Sequence, residues 1–159
     1  MRLTEYTHLC LEKRLNNGDY VLDATSGNGY DTLKATQLVQ PNGRVISIDI
    51  QEDAIEATKA KLTKAKLMNF CECHLGNHGE LLKKFDQTFD CIIFNLGYLP
   101  GSDKMIITST KNTLSALNQS PKLLKENGML FVTAYPQHKG GEDEAEQVLS
   151  LIHISEPTR

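Results

Sequence analysis

Five short apolar runs, separated by helical patterns, constrain this chain more than any other feature. They are Tyr20–Thr25 (YVLDAT), Arg44–Ile50 (RVISIDI), Phe70–Leu75, Cys91–Leu96 and Met129–Tyr135 (MLFVTAY). Helices are expected at Thr4–Leu15, Asp31–Gln40, Gln51–Lys66, Gly79–Phe85 and Asn112–Lys125, with another beginning at Glu142. On Gln51–Lys66 the positions Ala54, Ile55, Thr58 and Leu62 share one face. Asn17-Gly18, Pro41-Asn42-Gly43 and Asn127-Gly128 are the stop signals. Strands that are apolar over most of their length and alternate with helices predict a parallel sheet covered on both faces. Right-handed crossovers then give a doubly wound α/β sandwich.

A chain of 159 residues fits one domain with a real core. No apolar run approaches the roughly 20 residues of a membrane helix. The N-terminal stretch has scattered charges and no signal-peptide block, so a cytoplasmic protein is expected, with no membrane partner. The net charge of −3 argues against tight, non-specific nucleic-acid binding but leaves room for a local basic patch. Cys10, Cys71, Cys73 and Cys91 lack zinc-site spacing and are expected to be reduced structural thiols, with no metal. The final LSLIHISEPTR, residues 149–159, resembles translated sequencing-adapter read-through. The functional domain is therefore taken as residues 1–148, and the tail is set aside.

The first strand-to-helix loop reads DATSGNGYDT, Asp23 to Thr32. Gly27 and Gly29 allow a sharp turn and close approach to a ligand, and the helix start beyond them favours a negative group. A dinucleotide loop would have glycine where Thr32 stands. Asp23 and Asp31 would repel a pyrophosphate. They suit a ligand with an ammonium and a sulfonium, such as S-adenosylmethionine, whose carboxylate could meet the backbone N–H groups. On this reading Asp23, Thr25, Gly27, Asn28, Gly29, Asp31 and Thr32 form the cofactor side of the loop. The plainer alternative is a glycine-rich turn with Asp31 as helix cap.

Asp49 ends the second strand about 20 residues further on, where a carboxylate can accept both hydroxyls of a ribose. Ile50 and Gln51 follow at positions that could border the adenine. Asp49 could instead cap the next helix. His78, after the third strand, reaches the same sheet edge, either beside the adenine or as an ordinary loop histidine.

The fourth run ends in NLGYLPGSDK. In a doubly wound sheet this strand lies beside the first, so Asn95 and Leu96 fall next to the cofactor's reactive end. The side-chain carbonyl of Asn95, or the backbone carbonyl of Leu96, can accept a hydrogen bond from an amine. Tyr98 offers a flat face for a base, while Gly97 and Pro100 fix the turn. The arrangement is similar to the Asn-Pro-Pro-Tyr turn of amino-methylating enzymes; a purely structural turn is the alternative. A protonated amine must lose a proton before methylation, and His138, in the turn after the fifth strand, is the expected base. It could equally contact phosphate or solvent. Lys104 is the candidate phosphate contact. Lys59, Lys61, Lys64 and Lys66 read as a solvated basic face.

The segments GDYVLDATSGNGYDT, VISIDIQEDAI, IIFNLGYLPGSDK, TSTKNTLSAL and YPQHKGGEDEAE occur in one order over nearly all of residues 1–148. In them the chain resembles a family of small bacterial class I methyltransferases with a Rossmann-like sheet. Its members were long labelled rRNA methylases and are now associated with tRNA wobble uridine, where they methylate the amine of a 5-aminomethyl group, often on 2-thiouridine. The resemblance implies that Asn28, Asp31, Asp49, Gln51 and His78 serve S-adenosylmethionine. It implies that Asn95, Tyr98, Tyr135 and His138 face the substrate amine. His8 matches a frequent histidine of the family's first helix, with no role derivable from sequence. Tyr30 stands where the family usually has His, and Tyr135-Pro136-Gln137-His138 departs from the usual Tyr-x-Gly-His. The family's closing strand hairpin is not found, which would leave the fifth strand as an exposed edge. The expected partner is tRNA, with a homodimer as an option. The alternatives are methylation of rRNA or of a small amine, or a non-catalytic nucleotide-binding module.

Overall fold

The computed structural model describes residues 2–96 and 110–134. Five strands form one sheet: β1 (Tyr20–Asp23), β2 (Arg44–Asp49), β3 (Cys71–Leu75), β4 (Phe89–Leu96) and β5 (Leu124–Ala134). All pairings are parallel and the order is β3-β2-β1-β4-β5. The helices are α1 (Leu3–Arg14), α2 (Tyr30–Val39), α3 (Glu52–Lys64), α4 (His78–Leu81) and α5 (Thr110–Leu123), with short 3-10 turns at Met68–Phe70 and Leu82–Lys84. Because β1 pairs with both β2 and β4, the strand order reverses at β1, and the cleft beyond the β1 and β4 ends is the switch point.

Side-chain alternation sorts the core into two halves. Val21, Val45, Cys71, Cys91 and Ile93 pack with Leu11 and Leu15 from the α1 segment, Ala35 and Val39 of α2, and Leu62 of α3. Leu22, Ile46, Ile48, Ile92, Phe94 and Leu96 pack on the other face with Leu82, Ala116 and Leu117. Removing these side chains from water on both faces is what holds a parallel sheet together. The four cysteines are free thiols, and Cys71 and Cys91 are buried in this core.

The α5–β5 connection differs from the sequence expectation. The helix ends at Leu123 rather than running toward Asn127-Gly128, and Leu124 already lies opposite Phe89. The ladder then jumps, with Cys91 opposite Met129, so the intervening residues bulge out. Asn127 takes a left-handed φ of 63° at the tip of this bulge. The Asn-Gly signal marks a real reversal of backbone hand, but inside the strand instead of at the helix end. Among the described residues β5 pairs with β4 alone and is an edge of the sheet.

Candidate functional site

The loop between β1 and α2 is built from the inside. Asp23 is completely buried, and its carboxylate accepts the Thr25 N–H at 3.1 Å and the Thr32 hydroxyl at 2.6 Å. Thr32 Oγ1 also lies 2.8 Å from Ser47 Oγ on β2. Burial first, then the nearby Asp31 charge, push the Asp23 carboxyl up to about 7. Asp23 and Thr32, expected to meet a ligand, have no exposed surface. They shape the loop from beneath.

The two glycines do different work. Gly27 has φ +52°, and nothing lies closer than 4.0 Å to where a Cβ would stand, so this backbone is open to approach. Gly29 has φ +82°, and a Cβ there would meet Thr58 Cα on α3 at 2.7 Å. Gly29 is thus required by the close approach of α3, whatever its part in ligand approach. It is also the N-cap of α2, which has no side-chain cap, so Asp31 is not a cap.

The Asp31 side chain reaches out of its helix in two directions. Oδ1 lies 2.8 Å from His8 Nε2 on α1, and Oδ2 accepts the Asn95 side-chain N–H at 3.1 Å. Asn95 shares strand parity with Cys91 and Ile93, which turns it toward the α1–α2 face. Its backbone N–H donates to Thr25 Oγ1 at 2.5 Å. Leu96 beyond it is buried.

Asp49 accepts the Gly27 N–H and the Gln51 N–H, both at 2.9 Å, on different oxygens. Gln51 is the N-cap residue of α3 and makes no side-chain cap, so Asp49 ties loop to loop rather than capping by itself. Burial raises the Asp49 carboxyl above its ordinary value, and these backbone donors oppose the rise. Ile50 is 40% exposed and Leu75 is 54% exposed, at the ends of neighbouring strands. Leu75 was not singled out from sequence; its end position on β3 beside Asp49 was the available signal. His78 is buried, with Nδ1 2.9 Å from the Ala24 carbonyl oxygen and its ring edge-on to Phe94. Nε2 has no hydrogen-bond partner among the described residues. Desolvation lowers the His78 pKa, disfavouring the charged ring, while the Ala24 carbonyl and the Asp49 charge oppose the shift.

Residues 45–156 match the family model described as "Putative rRNA methylase". The chain belongs to this methylase family. A crystal structure described as a "putative rRNA-methylase" from Clostridium thermocellum superposes with TM-score 0.92 at 35% identity, covering 98% of this chain and 84% of that one. A "putative methyltransferase" from Streptococcus mutans, in complex with SAH, has TM-score 0.85 at 30% identity over 98% and 84% of the two chains. An Arabidopsis thaliana chloroplastic tRNA (mnm(5)s(2)U34)-methyltransferase is 38% identical over 161 residues, 92% of this chain and 57% of that protein. The chain thus spans a little over half the length of that relative.

In this methylase-family chain the first-loop, Asp49 and Asn95 positions meet at one sheet edge, as the switch-point topology requires. Asn28 is half-buried in the loop. Tyr98, Lys104, Tyr135 and His138 lie outside the described residues. On the lysine run of α3, Lys59 pairs with Glu56 at 3.6 Å, and Lys61 sits 4.5 Å from the ring centre of the exposed Tyr30. No group of three or more His, Cys, Asp or Glu among the described residues could hold a metal ion. No helix among them is long and apolar enough to cross a membrane.

Proposed function

We propose that this chain is an S-adenosylmethionine-dependent methyltransferase domain that methylates the amine of the 5-aminomethyl group on tRNA wobble (2-thio)uridine. The observation that carries the methyl-transfer reading is the Asp49 edge. Each carboxylate oxygen there accepts one backbone N–H, the Ile50 N–H also acts on the group, and a carboxylate offers about four lone-pair directions in all. Two acceptors side by side suit the vicinal hydroxyls of a ribose. Exposed Ile50 and Leu75 supply an apolar surface for the adenine, with Gln51 and His78 at its border. The open Gly27 backbone and Asn28 take the methionine end, and the Asp31 carboxylate favours a cationic group beside them. When bound, the cofactor supplies an electrophilic methyl on a sulfonium.

Asn95 then orients the acceptor amine. Its Nδ2 is committed to Asp31, so Oδ1 is left to accept an N–H from the substrate. That bond turns the nitrogen lone pair away from Asn95. Methyl transfer is an in-line displacement, for which positioning supplies most of the rate. Tyr98 would stack on the base, Lys104 would meet a phosphate, and Tyr135 and His138 would flank the amine; these four roles rest on the family resemblance. The choice of tRNA rests on likeness to the plastid wobble methyltransferase.

The test is complementation with the full-length protein in a strain lacking its wobble methylase, followed by mass spectrometry of tRNA nucleosides. The expected result is conversion of 5-aminomethyl-uridine to its N-methyl form. Persistence of the unmethylated nucleoside, with a methyl group gained by rRNA or a small amine, would overturn the substrate assignment. Calorimetry that found NAD binding and no S-adenosylmethionine binding would overturn the methyltransferase reading itself.

A further inference from the structure

We propose that His8 is the base that removes a proton from the substrate ammonium, and that Asp31 holds it for that task. The proposal rests on the amine-methylation reading above. His8 lies on α1, with its side chain 26% exposed, and its Nε2 is 2.8 Å from Asp31 Oδ1. The Asp31 side chain is only 6% exposed. A carboxylate accepts and does not donate, so the proton between them belongs to Nε2, and Nδ1 is left with a bare lone pair. The other oxygen of the same carboxylate holds the Asn95 amide. The acceptor that orients the amine and the base that deprotonates it thus share one anchor.

The charged groups around His8 suit this role. From α2 it faces Asp31. On its own helix Glu12 also acts on it, and the carboxylate of Glu12 is bonded to Lys34 of α2. Lys34 is therefore already paired, and an imidazolium at His8 is met directly by the Asp31 charge. In the step, one ammonium N–H bond breaks and its proton bonds to His8 Nδ1. The electron pair stays on the amine nitrogen as the lone pair that methylation needs. The imidazolium later returns the proton to water. The arrangement follows the general logic of a base oriented by a third group.

The test uses full-length protein and tRNA carrying 5-aminomethyl-uridine. His8→Gln keeps a hydrogen-bond donor for Asp31 and removes the base. Its single-turnover rate is expected to fall about 100-fold, with S-adenosylmethionine affinity by calorimetry and tRNA affinity unchanged. In His8→Ala, added imidazole should restore part of the rate. A readout independent of turnover is 15N NMR of labelled histidine, which should show the Nε2–H tautomer at His8 in wild type and its loss in Asp31→Asn. Near-normal turnover of His8→Gln would overturn the proposal. So would loss of cofactor affinity in step with turnover, which would make His8 a cofactor contact. A wild-type protein that binds S-adenosylmethionine but methylates no tRNA amine would instead defeat the functional reading on which the proposal stands.

Discussion

Thr25 Oγ1 accepts the backbone N–H of Asn95 at 2.5 Å, so the loop after β1 and the end of β4 are fastened to each other by one hydroxyl. Thr25 is itself set by Asp23, which accepts its N–H. Replacing Thr25 with Val keeps the shape and leaves the half-buried Asn95 N–H unpaired, a loss of about 1 kcal/mol. Turnover should fall about tenfold as Asn95 shifts, with cofactor affinity little changed, while Thr25→Ser should stay close to wild type. Kinetics of the two variants under saturating cofactor check this. Equal losses in Val and Ser would show that the hydroxyl does not position Asn95.

Gly27 and Gly29 should respond differently to alanine. Gly29→Ala adds left-handed strain and drives a methyl group into Thr58 Cα, together worth about 2–4 kcal/mol. The obstruction includes backbone, so Thr58→Ala should not rescue it. Gly27→Ala meets no neighbour and carries only the strain, about 1–2 kcal/mol, but it should weaken S-adenosylmethionine binding more than it lowers stability. Urea unfolding and calorimetry on both variants separate the effects.

Buried Asp23 and His78 give opposite pH dependences. The Asp23 carboxyl is raised from 3.8 to about 7 in the fold. Its stabilising contribution is full below about pH 3.8 and is lost as pH rises toward 7, because the folded state holds the proton longer. The His78 pKa is lowered from 6.5, so its contribution is present above 6.5 and is lost as pH falls below it. In Asp23→Asn, Thr32 can still donate to Ser47, so the fold should persist. Its Tm should decline less steeply between pH 4 and 7 than that of wild type. In His78→Gln the loss of Tm on acidification from 6.5 should shrink. Calorimetric scans across this range decide both slopes.

Asp49 and Asn95 should separate binding from turnover. Asp49→Asn turns an amine toward one of two backbone N–H groups that now find acceptors, and it should weaken cofactor binding at least tenfold. Asn95→Ala should lower turnover far more than cofactor affinity. A reversal of the two effects would move Asn95 into the cofactor cradle.

The middle of the sheet was legible because β1, β2 and β4 are buried on both faces, and runs such as CIIFNL carry that signature without help from distant residues. The place of β4 beside β1 follows from the handedness of crossovers, which brings Asn95 to the first loop. The partners of Asp31 were not legible. His8 is 23 residues away and Asn95 is 64, and their meeting depends on how α1 lies on α2. Gly29 could not be told from Gly27, because a left-handed glycine looks the same whether a ligand or Thr58 fills the space above it. The start of β5 was misplaced because a bulge hides in the register, while periodicity reports only which side chains are buried.

The attachment of α1 has a consequence for how such a domain diversifies. The helix takes no part in the ladder; Leu11 and Leu15 seat it in the core, Glu12 pairs with Lys34 of α2, and the His8–Asp31 bond ties it to the switch point. The surfaces expected to hold the cofactor lie on later segments, from Gly27 onward. A lineage could therefore exchange position 8 and alter which acceptor atom is prepared for attack, while Leu11 keeps the helix seated on the sheet and the rest of the machine is inherited unchanged.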